Sequence, residues 1–380
     1  MDQTAGRFDF AVIGAGIAGA GVARELAREA SVVLIERETQ PGYHTTGRSA
    51  ALFSTTYGPA PIRALSRASI GFFRNPPKEF AATPLLSPRG VVMVARADQT
   101  AHVEAMLDAV ADRGAMRRLP AKELGAMMPL LRPGYAADAV FEADASDIDV
   151  NGLHHGYLRA FTAAGGRIIL DGEIQSLERI DGGWRIGTRS RDFEAGTVIN
   201  AAGAWADEIA RLAGATPAGL VPKRRTAMTV ATPDGVDAAG WPMVVDIEEQ
   251  FYLKPESGRL LLSPADETPS PPCDAQPEEL DIAICVDRIE TAFDLEIRAI
   301  ENRWAGLRTF APDKNPVVGY DPVMPGFFWL AGQGGYGIQT APALARLAAA
   351  LALGKPVPSD IADEGVSTDQ LAPSRRRLAA

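Results

Sequence analysis

Residues 8–36 show the succession of apolar runs and a glycine turn that a βαβ unit requires. The apolar run 8–13 predicts a buried strand, Gly14–Gly19 a turn that opens a helix, and 31–35 a second strand ending at Glu36. In such a unit the first glycine permits a tight turn, the second admits a pyrophosphate, and the third lets the helix pack closely on the strand. The pattern therefore predicts a dinucleotide site at the N-terminus of the first helix, where unpaired N–H groups favour anions.

Later parts of the chain return to the same kind of pattern. Residues 150–164 have apolar positions at helical spacing and precede a strand-like run at 167–170. The stretch 172–188 alternates with period two about a Gly-Gly turn, as a hairpin does. Residues 197–206 and 327–338 each read as a buried strand that runs into a glycine turn. These junctions predict one nucleotide site assembled from separate parts of the chain.

The intervening segments have another pattern, with β-like runs at 90–94, 251–254 and 259–262 between proline-rich turns. They predict a second, mainly antiparallel sheet with helices, and a surface loop at 264–277. The expected fold is α/β with an α+β second domain, in which a discontinuous Rossmann-like nucleotide domain joins a discontinuous substrate domain. The predicted boundaries are 1–75, 141–219 and 311–371 for the nucleotide domain, 76–140 and 220–310 for the substrate domain, and 372–380 for a flexible tail.

Composition narrows the class of protein only modestly. The chain has 380 residues, 46% of them hydrophobic, and a net charge of -10, which allows two domains and argues against nucleic-acid binding. Neither Cys273 and Cys285 nor the 4 histidines have metal-ligand spacing, so no metal site and no disulfide framework are expected. No apolar run reaches the ~18 residues of a membrane span, and no signal peptide is visible. We therefore expect a cytoplasmic protein without a transmembrane segment.

Several motifs occur together in the order known from one family of flavoproteins. They are the glycine turn Gly14–Gly19, the pair Glu36-Arg37, the segment Pro41–Ala50, Asn200–Trp205, Trp304–Arg308 and Gly334–Thr340. Together they resemble the D-amino acid oxidase superfamily of FAD-dependent oxidoreductases, and within it most closely the D-arginine dehydrogenases and related D-amino acid dehydrogenases. The resemblance runs from about residue 8 to residue 350.

The resemblance implies an activity and the residues that carry it. Such enzymes transfer a hydride from the Cα of an amino acid to flavin N5, and the imino acid hydrolyses to a 2-oxo acid and ammonia. Arg225 and Arg308 match the arginines that bind the substrate carboxylate, and a planar guanidinium suits that task. Tyr252 matches a tyrosine that hydrogen-bonds the same carboxylate, and Tyr57 matches an active-site tyrosine over the substrate. Gly335 matches a residue whose backbone carbonyl oxygen accepts from the substrate amine.

The family's FAD contacts also map onto this sequence. Arg37 is expected near adenine and the backbone of Ile174 paired with it, while the loop 332–338 directs N–H groups at the N1–C2=O edge of the flavin. The expected FAD-binding residues are Gly14, Gly16, Ile17, Ala18, Gly19, Glu36, Arg37, Arg48, Ser49, Ala50, Ile174, Ala202, Gly203, Trp205, Gly332, Gly334, Gly335, Tyr336, Gly337, Ile338, Gln339 and Thr340. Sarcosine oxidases attach flavin through a cysteine soon after the motif at 304–308. Here 309–311 reads Thr-Phe-Ala, so FAD is expected to be non-covalent.

Two departures from D-arginine dehydrogenases bear on the substrate side chain. Those enzymes carry a glutamate where this chain has Val91 and a histidine where it has Leu52. A cationic side chain that loses its charge partner costs roughly several kcal/mol if it is desolvated. We therefore expect neutral or apolar D-amino acids to be preferred over D-Arg and D-Lys.

Three alternatives share part of this pattern. Oxidation of N-methyl or cyclic amino acids, of the sarcosine or proline type, uses the same fold and the same carboxylate-binding arginines. A nicotinamide-dependent reductase shares the glycine turn but leaves the loop 332–340 unexplained. A non-catalytic flavoprotein assembly factor would be favoured by loss of Arg225 and Arg308, and both are present. The sequence leaves open whether oxygen or a quinone reoxidises the flavin, and it leaves open the oligomeric state.

Overall fold

The computed structural model describes residues 4–78, 80–81, 83–110, 115–189 and 191–375. The strands are β1 (Thr4–Ile13), β2 (Val32–Ile35), β3 (Leu52–Phe53), β4 (Leu86–Pro88), β5 (Val91–Ala95), β6 (Arg117–Arg118), β7 (Asp138–Glu142), β8 (Ser146–Ile148), β9 (Arg167–Ile169), β10 (Ile174–Ile180), β11 (Gly183–Thr188), β12 (Asp192–Asn200), β13 (Val221–Ala231), β14 (Met243–Asp246), β15 (Tyr252–Glu256), β16 (Arg259–Ser263), β17 (Asn302–Phe310), β18 (Val317–Tyr320) and β19 (Phe327–Ala331). The α-helices are α1 (Ile17–Leu26), α2 (Ala60–Arg74), α3 (Thr100–Val110), α4 (Ala121–Met127), α5 (Val150–Ala163), α6 (Ala206–Leu212), α7 (Glu279–Ala292), α8 (Gly337–Ala352) and α9 (Ser359–Ala362).

The first sheet has the order β10-β11-β12-β1-β2-β9, and β19 lies beside the C-terminal half of β12. Strands β12, β1, β2, β9 and β19 are parallel, with α1 as the crossover between β1 and β2. Parallel strands place their carboxyl ends at one edge of the sheet, where α/β proteins bind ligands. The ends at Ile13, Ile35, Asn200 and Ala331 therefore bring together the glycine turns that were far apart in sequence. The predicted Rossmann-like domain is confirmed.

The turn between β1 and α1 depends on glycine for two separate reasons. Gly14 has a φ of +96°, and a Cβ there would lie 2.6 Å from the carbonyl oxygen of Ala201. A Cβ on Gly19 would lie 1.8 Å from the carbonyl oxygen of Gly14. The helix therefore packs on the strand at a distance that only glycine permits.

Replacing Gly19 with alanine is expected to destabilise the protein severely. The clash is with backbone, which cannot rotate away, so we expect a loss of at least ~3 kcal/mol and loss of bound flavin. The matched control is Gly71→Ala on α2, where a Cβ would have nothing within 4 Å. That control should be neutral or stabilising by about 0.5 kcal/mol, because alanine restricts the unfolded chain. Urea unfolding midpoints and flavin content measure both, and equal behaviour of the two variants would contradict the close-packing argument.

The second sheet has the order β17-β13-β16-β15-β14-β5-β7-β6, and only the pair β14–β5 is parallel. Its apolar face packs on α7 through a core that contains Phe251, Leu262 and Phe293. The predicted α+β second domain is thus confirmed. Strand β17 is an edge strand of this sheet, and it contacts the segment Gly203–Trp205 of the first domain. A small third sheet has the strand order β3-β8-β4.

Helix α8 begins directly after the glycine loop that follows β19. It packs against α1 and α2, and a Cβ on Gly21 of α1 would lie 3.0 Å from the Cβ of Ala345. Most of its residues are buried, so its apolar composition serves the core. Within the described residues, no helix combines the length and the apolar character needed to cross a membrane.

Arg375, the last described residue, is anchored to the rest of the protein by its side chain. Arg375 is mostly buried and pairs with Asp313 at 2.8 Å, and its guanidinium also donates to the carbonyl oxygen of Asn315 at 2.8 Å. The rest of the predicted tail, 376–380, lies outside the described residues. The predicted domain boundaries stay a prediction.

Candidate active site

A long cavity runs from the carboxyl edge of the first sheet to the edge strand β17 of the second. One end contains Glu36 and Trp205, and the other contains Arg225, Tyr252 and Arg308. The predicted residues that line it are Gly14, Gly16, Ile17, Ala18, Glu36, Arg37, Arg48, Ser49, Ala50, Ile174, Ala202, Gly203, Trp205, Arg225, Tyr252, Arg308, Gly334, Gly335, Gly337 and Ile338. The structure thus brings together residues that the sequence analysis assigned to cofactor and to substrate.

Other predicted site residues are not among those that line the cavity. They are Tyr57, Leu52, Val91, Gly19, Gly332, Tyr336, Gln339 and Thr340. The Thr340 hydroxyl donates to the carbonyl oxygen of Tyr336 at 2.9 Å within its own helix, and the amide oxygen of Gln339 accepts from the backbone of Ser54 at 3.3 Å. The hydroxyl of Thr340 is therefore engaged by the protein, whereas the buried Nε2 of Gln339 has no partner among the described residues. Their expected role toward FAD stays a prediction.

The glycine turn at the nucleotide end is held by two side chains. Glu36 accepts from the N–H of Ala15 at 2.7 Å and from that of Glu38 at 3.1 Å. The hydroxyl of Thr46 accepts from the N–H of Ile17 at 3.0 Å. Glu36 therefore fixes the turn in addition to facing the cavity, and Thr46 is a contributor that the sequence analysis missed. Its signal was a threonine inside the motif 41–50, but its partner lies in another element.

Aromatic and charged side chains line the nucleotide end of the cavity. The guanidinium of Arg37 lies 4.8 Å from the ring centroid of Trp205, within cation–π distance. The ring of His44 lies 4.7 Å from that of Trp205, and its Nε2 lies 2.8 Å from Glu38. An aromatic wall with a planar cation is suited to a heteroaromatic base.

Arg48, which lines the cavity and is expected to bind FAD, also connects the two domains. Its guanidinium donates to the carbonyl oxygens of Ala275 and Ala305 at 2.9 Å each and pairs with Asp274. These contacts tie the 41–50 segment to β17 and to the loop before α7. Because its guanidinium is engaged there, Arg48 meets the cavity mainly as part of the wall.

Arg308 lies at the other end of the cavity, the substrate end, with Arg225 and Tyr252. It is half-buried, and within the described residues no hydrogen bond or ion pair holds its guanidinium. Burial acts to lower the pKa of Arg308, but the neighbouring Tyr57, Tyr252 and Glu249 outweigh it and raise that pKa. A Cβ on Gly335 would lie 2.8 Å from the Nη1 atom of Arg308. The site therefore holds a permanent, partly desolvated cation next to the loop that opens α8.

Arg225 is positioned differently from Arg308. It is buried, its Nε donates to the carbonyl oxygen of Asp266 at 2.9 Å, and its Nη2 donates to Glu267 at 3.3 Å. Strand pairing of Arg225 with Gly306 places it on the same side of the sheet as Arg308. Two guanidinium groups thus face one end of the cavity, and only Arg225 has a carboxylate partner among the described residues.

Tyr57 stands beside this pair of arginines. Its hydroxyl donates to Glu249 at 3.1 Å, and its ring packs edge-on against Tyr336 at a centroid distance of 5.1 Å. Burial, reinforced by the charge of Glu249, raises the pKa of Tyr57 to about 12. The phenol is therefore neutral at physiological pH and acts as a donor. Glu249 has a φ of +56°, a left-handed conformation that is unusual for glutamate.

A buried carboxylate that the sequence analysis missed organises the loop before Tyr57. Glu142, at the end of β7, accepts from the hydroxyls of Ser54 and Thr56 at 2.7 Å each and from the N–H of Thr55 at 3.0 Å. Burial raises the pKa of Glu142, and these donors counteract that rise. The contacts join residues far apart in sequence, so no local pattern could have revealed them.

An apolar cluster adjoins Tyr252 at the substrate end. It contains Val91, Met243 and Tyr252, with Ala50 and Leu52 packed against it. The two positions that depart from D-arginine dehydrogenases therefore belong to one hydrophobic surface. No histidine borders this end, because His44 lies at the nucleotide end and the other 3 of the 4 histidines lie outside the cavity lining.

Comparison of the sequence with known protein families shows which family the chain belongs to. A profile described as FAD dependent oxidoreductase, abbreviated DAO, matches residues 9–351. The chain belongs to this family. The uncharacterized oxidoreductase YurR of Bacillus subtilis (strain 168) is 28% identical over 65% of this chain and 66% of its own length. The first curated relatives are matched over 36% to 66% of their own length.

Solved structures share this fold. Glycine oxidase from Geobacillus kaustophilus superposes with a TM-score of 0.84 at 22% identity, over 97% of this chain and 99% of that one. L-Proline dehydrogenase from P. horikoshii superposes with a TM-score of 0.79 at 19% identity, over 99% and 98%. At these identities the likeness concerns the fold.

The cavity fits the cofactor that the family requires, so the protein is a flavoprotein. Gly14, Gly16 and Gly203 leave the pyrophosphate stretch free of side chains, and the N-terminus of α1 is available for phosphate. The N-terminus of α8 meets the opposite end through Gly337. The two ends of the cavity thus offer backbone N–H groups that would hold the anionic phosphates and the electron-accepting ring of FAD.

Proposed function

We propose that this protein oxidises D-amino acids with neutral or apolar side chains to 2-oxo acids and ammonia, with FAD bound non-covalently. The observation that carries the proposal is the guanidinium of Arg308, which has no hydrogen bond or ion pair among the described residues and lies at one end of the FAD cavity, beside Arg225 and Tyr252. A desolvated cation without a counterion is costly unless a ligand supplies the anion. The α-carboxylate of an amino acid matches that need, since guanidinium binds carboxylate through two parallel hydrogen bonds.

An amino acid accounts for the site better than a 2-hydroxy acid. Oxidation of an alcohol requires a base to remove the hydroxyl proton, and histidine is the usual choice. None of the 4 histidines borders the Arg308 end of the cavity. An amine that has lost its extra proton to solvent needs no such base, and the carbonyl of Gly335 is available to accept its N–H.

The chain's own residues orient the substrate. Arg308 and Arg225 fix the carboxylate, Tyr252 hydrogen-bonds it, and Tyr57 covers the site as a neutral phenol. Bound FAD supplies the acceptor for the hydride that leaves Cα. Restraining the substrate at two points, its carboxylate and its amine, is what gives Cα a defined orientation.

The side-chain preference follows from the apolar cluster. Val91 and Leu52 lie on a surface shared with Met243 and Tyr252, and none of these four carries a charge. The carboxylate of Glu142, which pairs with Val91 across the strands, is already engaged by the 54–56 loop, so a guanidinium or ammonium placed there would have to compete for it. Leucine, methionine or phenylalanine side chains would instead bury apolar area. The D configuration is supported by the resemblance to D-arginine and related D-amino acid dehydrogenases.

Anaerobic flavin bleaching tests the proposal directly. D-Leu, D-Met and D-Phe should bleach the yellow protein, with kcat/KM at least about 10²-fold above D-Arg, which corresponds to ~2.7 kcal/mol for an unpaired cation. The L-enantiomers, sarcosine, proline and 2-hydroxyglutarate serve as matched probes in the same assay. Faster bleaching by D-Arg would contradict the side-chain preference, and bleaching only by sarcosine or proline would replace the substrate class. Readmission of air then distinguishes oxygen from other acceptors.

A further inference from the structure

Glu142 is a buried carboxylate that has no cation partner in the part of the chain that the structure describes. It lies at the end of β7, is 1% exposed, and accepts from hydroxyl and N–H groups of the loop 54–56. A buried charge is costly unless donors surround it, and its replacement by a neutral side chain often stabilises a protein. A full carboxylate at this position is therefore explained better by what it holds than by the stability that it adds.

The hydroxyl of Ser54 connects Glu142 to the backbone of Tyr57. It donates to the Oε2 atom of Glu142 at 2.7 Å, and it accepts from the N–H of Tyr57 at 3.1 Å and from that of Thr56 at 3.2 Å. A serine hydroxyl has one proton and two lone pairs, so these contacts use its full capacity. An acceptor at position 142 therefore fixes the direction of the Ser54 hydroxyl, and the hydroxyl in turn holds the backbone of Tyr57.

The loop that carries Tyr57 is also held on its other side. The guanidinium of Arg63 donates to the carbonyl oxygen of Gly58, the residue after Tyr57, at 2.8 Å. Tyr57 lies between these two anchors, and its ring packs edge-on against Tyr336. Loss of the Glu142 anchor would therefore release Tyr57 from one side of the loop.

We propose that Glu142 is a positioning residue whose carboxylate holds Tyr57 over the substrate site through Ser54, and that it thereby sets the affinity for substrate. Glu142 is not among the residues that line the cavity, so it acts through the loop. The inference rests on the proposed function in one respect, which is that Tyr57 covers the bound substrate.

Glutamine at position 142 separates the carboxylate from its size. The hydroxyl of Ser54 donates to Oε2 of Glu142, whereas the N–H of Thr55 donates to Oε1. An amide has one acceptor oxygen and presents N–H donors on its other side, so it cannot accept from both groups. Either the Ser54 hydroxyl or the backbone of Thr55 loses its acceptor in Glu142→Gln.

The test is steady-state kinetics of purified holoenzyme, with the amine donor that bleaches the wild-type flavin fastest. In Glu142→Gln we expect KM to rise about tenfold, the effect of one buried hydrogen bond, and kcat to change by less than about threefold. The matched control is Asp207→Asn, because Asp207 is a buried carboxylate that accepts from the N–H groups of Ala218 and Leu220, outside the cavity lining. That control should lower the unfolding midpoint and keep the wild-type KM.

A double variant shows whether Glu142 acts through Tyr57. Tyr57→Ala should itself raise KM, and adding Glu142→Gln to it should change KM by less than about twofold, because no side chain is left to position. Three results would overturn the proposal: a wild-type KM for Glu142→Gln, an equal rise in the Asp207→Asn control, or additive effects in the double variant.

Amide hydrogen exchange of the segment 54–58 gives a readout that needs no substrate. These amides should exchange about tenfold faster in Glu142→Gln, while those of β7 keep their wild-type rates. Unchanged exchange refutes the positioning role, whatever the substrate. Faster exchange, together with bleaching only by sarcosine or proline, refutes the proposed substrate class and supports the positioning role, with KM then measured for that donor. If Glu142→Gln does not retain flavin, Ser54→Ala replaces it in each measurement, with the same expected results.

Discussion

Replacing Arg308 with methionine is expected to lower kcat/KM for the best D-amino acid by about 10³-fold, or ~4 kcal/mol. Methionine fills similar volume but cannot bind the α-carboxylate, and Arg225 is already engaged with Glu267 and the carbonyl of Asp266. Steady-state kinetics measures the change. The main effect should be on KM, with a smaller loss of kcat as the substrate becomes less well oriented.

The same substitution should change stability little. Within the described residues Arg308 has no ion pair or hydrogen bond, so methionine removes only the longer-range attraction of Glu249 together with the cost of partial desolvation. Loss of activity without loss of stability would separate binding from folding. Arg308→Lys keeps the charge but not the planar fork, and it should retain roughly a tenth of the catalytic efficiency at most.

The control for this prediction lies on the same strand. Arg303 is half-exposed and pairs with Glu279 at 2.7 Å, so Arg303→Met should change kcat/KM by less than about twofold. A drop in unfolding midpoint for Arg308→Met would indicate a structural role. Unchanged kcat/KM would remove the main support for an amino acid carboxylate at this site.

Patterns that are local in sequence predicted the first domain well. The unit at 8–36 follows rules of strand, turn and helix that involve neighbouring residues, and β1, α1 and β2 occur where they were expected. Glycine at position 14 is dictated by its own φ and by the approach of Ala201. Such requirements leave a sequence signal because only one residue type satisfies them.

The residues that sequence analysis missed act through contacts between distant elements. Glu142 meets the 54–56 loop, Thr46 meets the first helix, and Glu249 meets Tyr57. A glutamate at the end of a strand or a threonine in a loop has no special local pattern. Conversely, Thr340 belongs to a family motif, yet its hydroxyl is used inside its own helix.

Strand β17 carries residues that face the substrate end of the cavity and residues that pack against the first domain. On β17, Arg308 faces the substrate end while Leu307 packs with the loop after β12, so adjacent residues serve different sides. Period-two alternation explains this division, and it could have been predicted once the strand was recognised. The face of β17 that meets the cofactor could not be predicted from the sequence, because it depends on how the two sheets are placed relative to each other.

Introducing the acidic residue of D-arginine dehydrogenases at position 91 is expected to fail as a simple conversion of specificity. Val91 is buried and pairs in register with Glu142 on β7, so the side chains lie on the same face. Val91→Glu would place a second carboxylate beside a buried one whose pKa is already raised by burial. We expect a loss of about 3 kcal/mol or more at pH 8, seen as a lower urea unfolding midpoint.

The pH dependence and a double variant identify the cause of that loss. Burial and like charge raise the folded-state pKa of such a carboxyl above its unfolded value, so the penalty is absent when both states are protonated and grows as pH rises. The unfolding midpoint of Val91→Glu should therefore approach that of Val91→Gln as the pH falls to about 4, near the unfolded-state pKa of glutamate. Val91→Gln, similar in size but uncharged, should lack this dependence. Adding Glu142→Gln to Val91→Glu should recover about 1–3 kcal/mol of coupling energy and permit turnover of D-Arg, and additive losses would show that the two carboxylates do not interact.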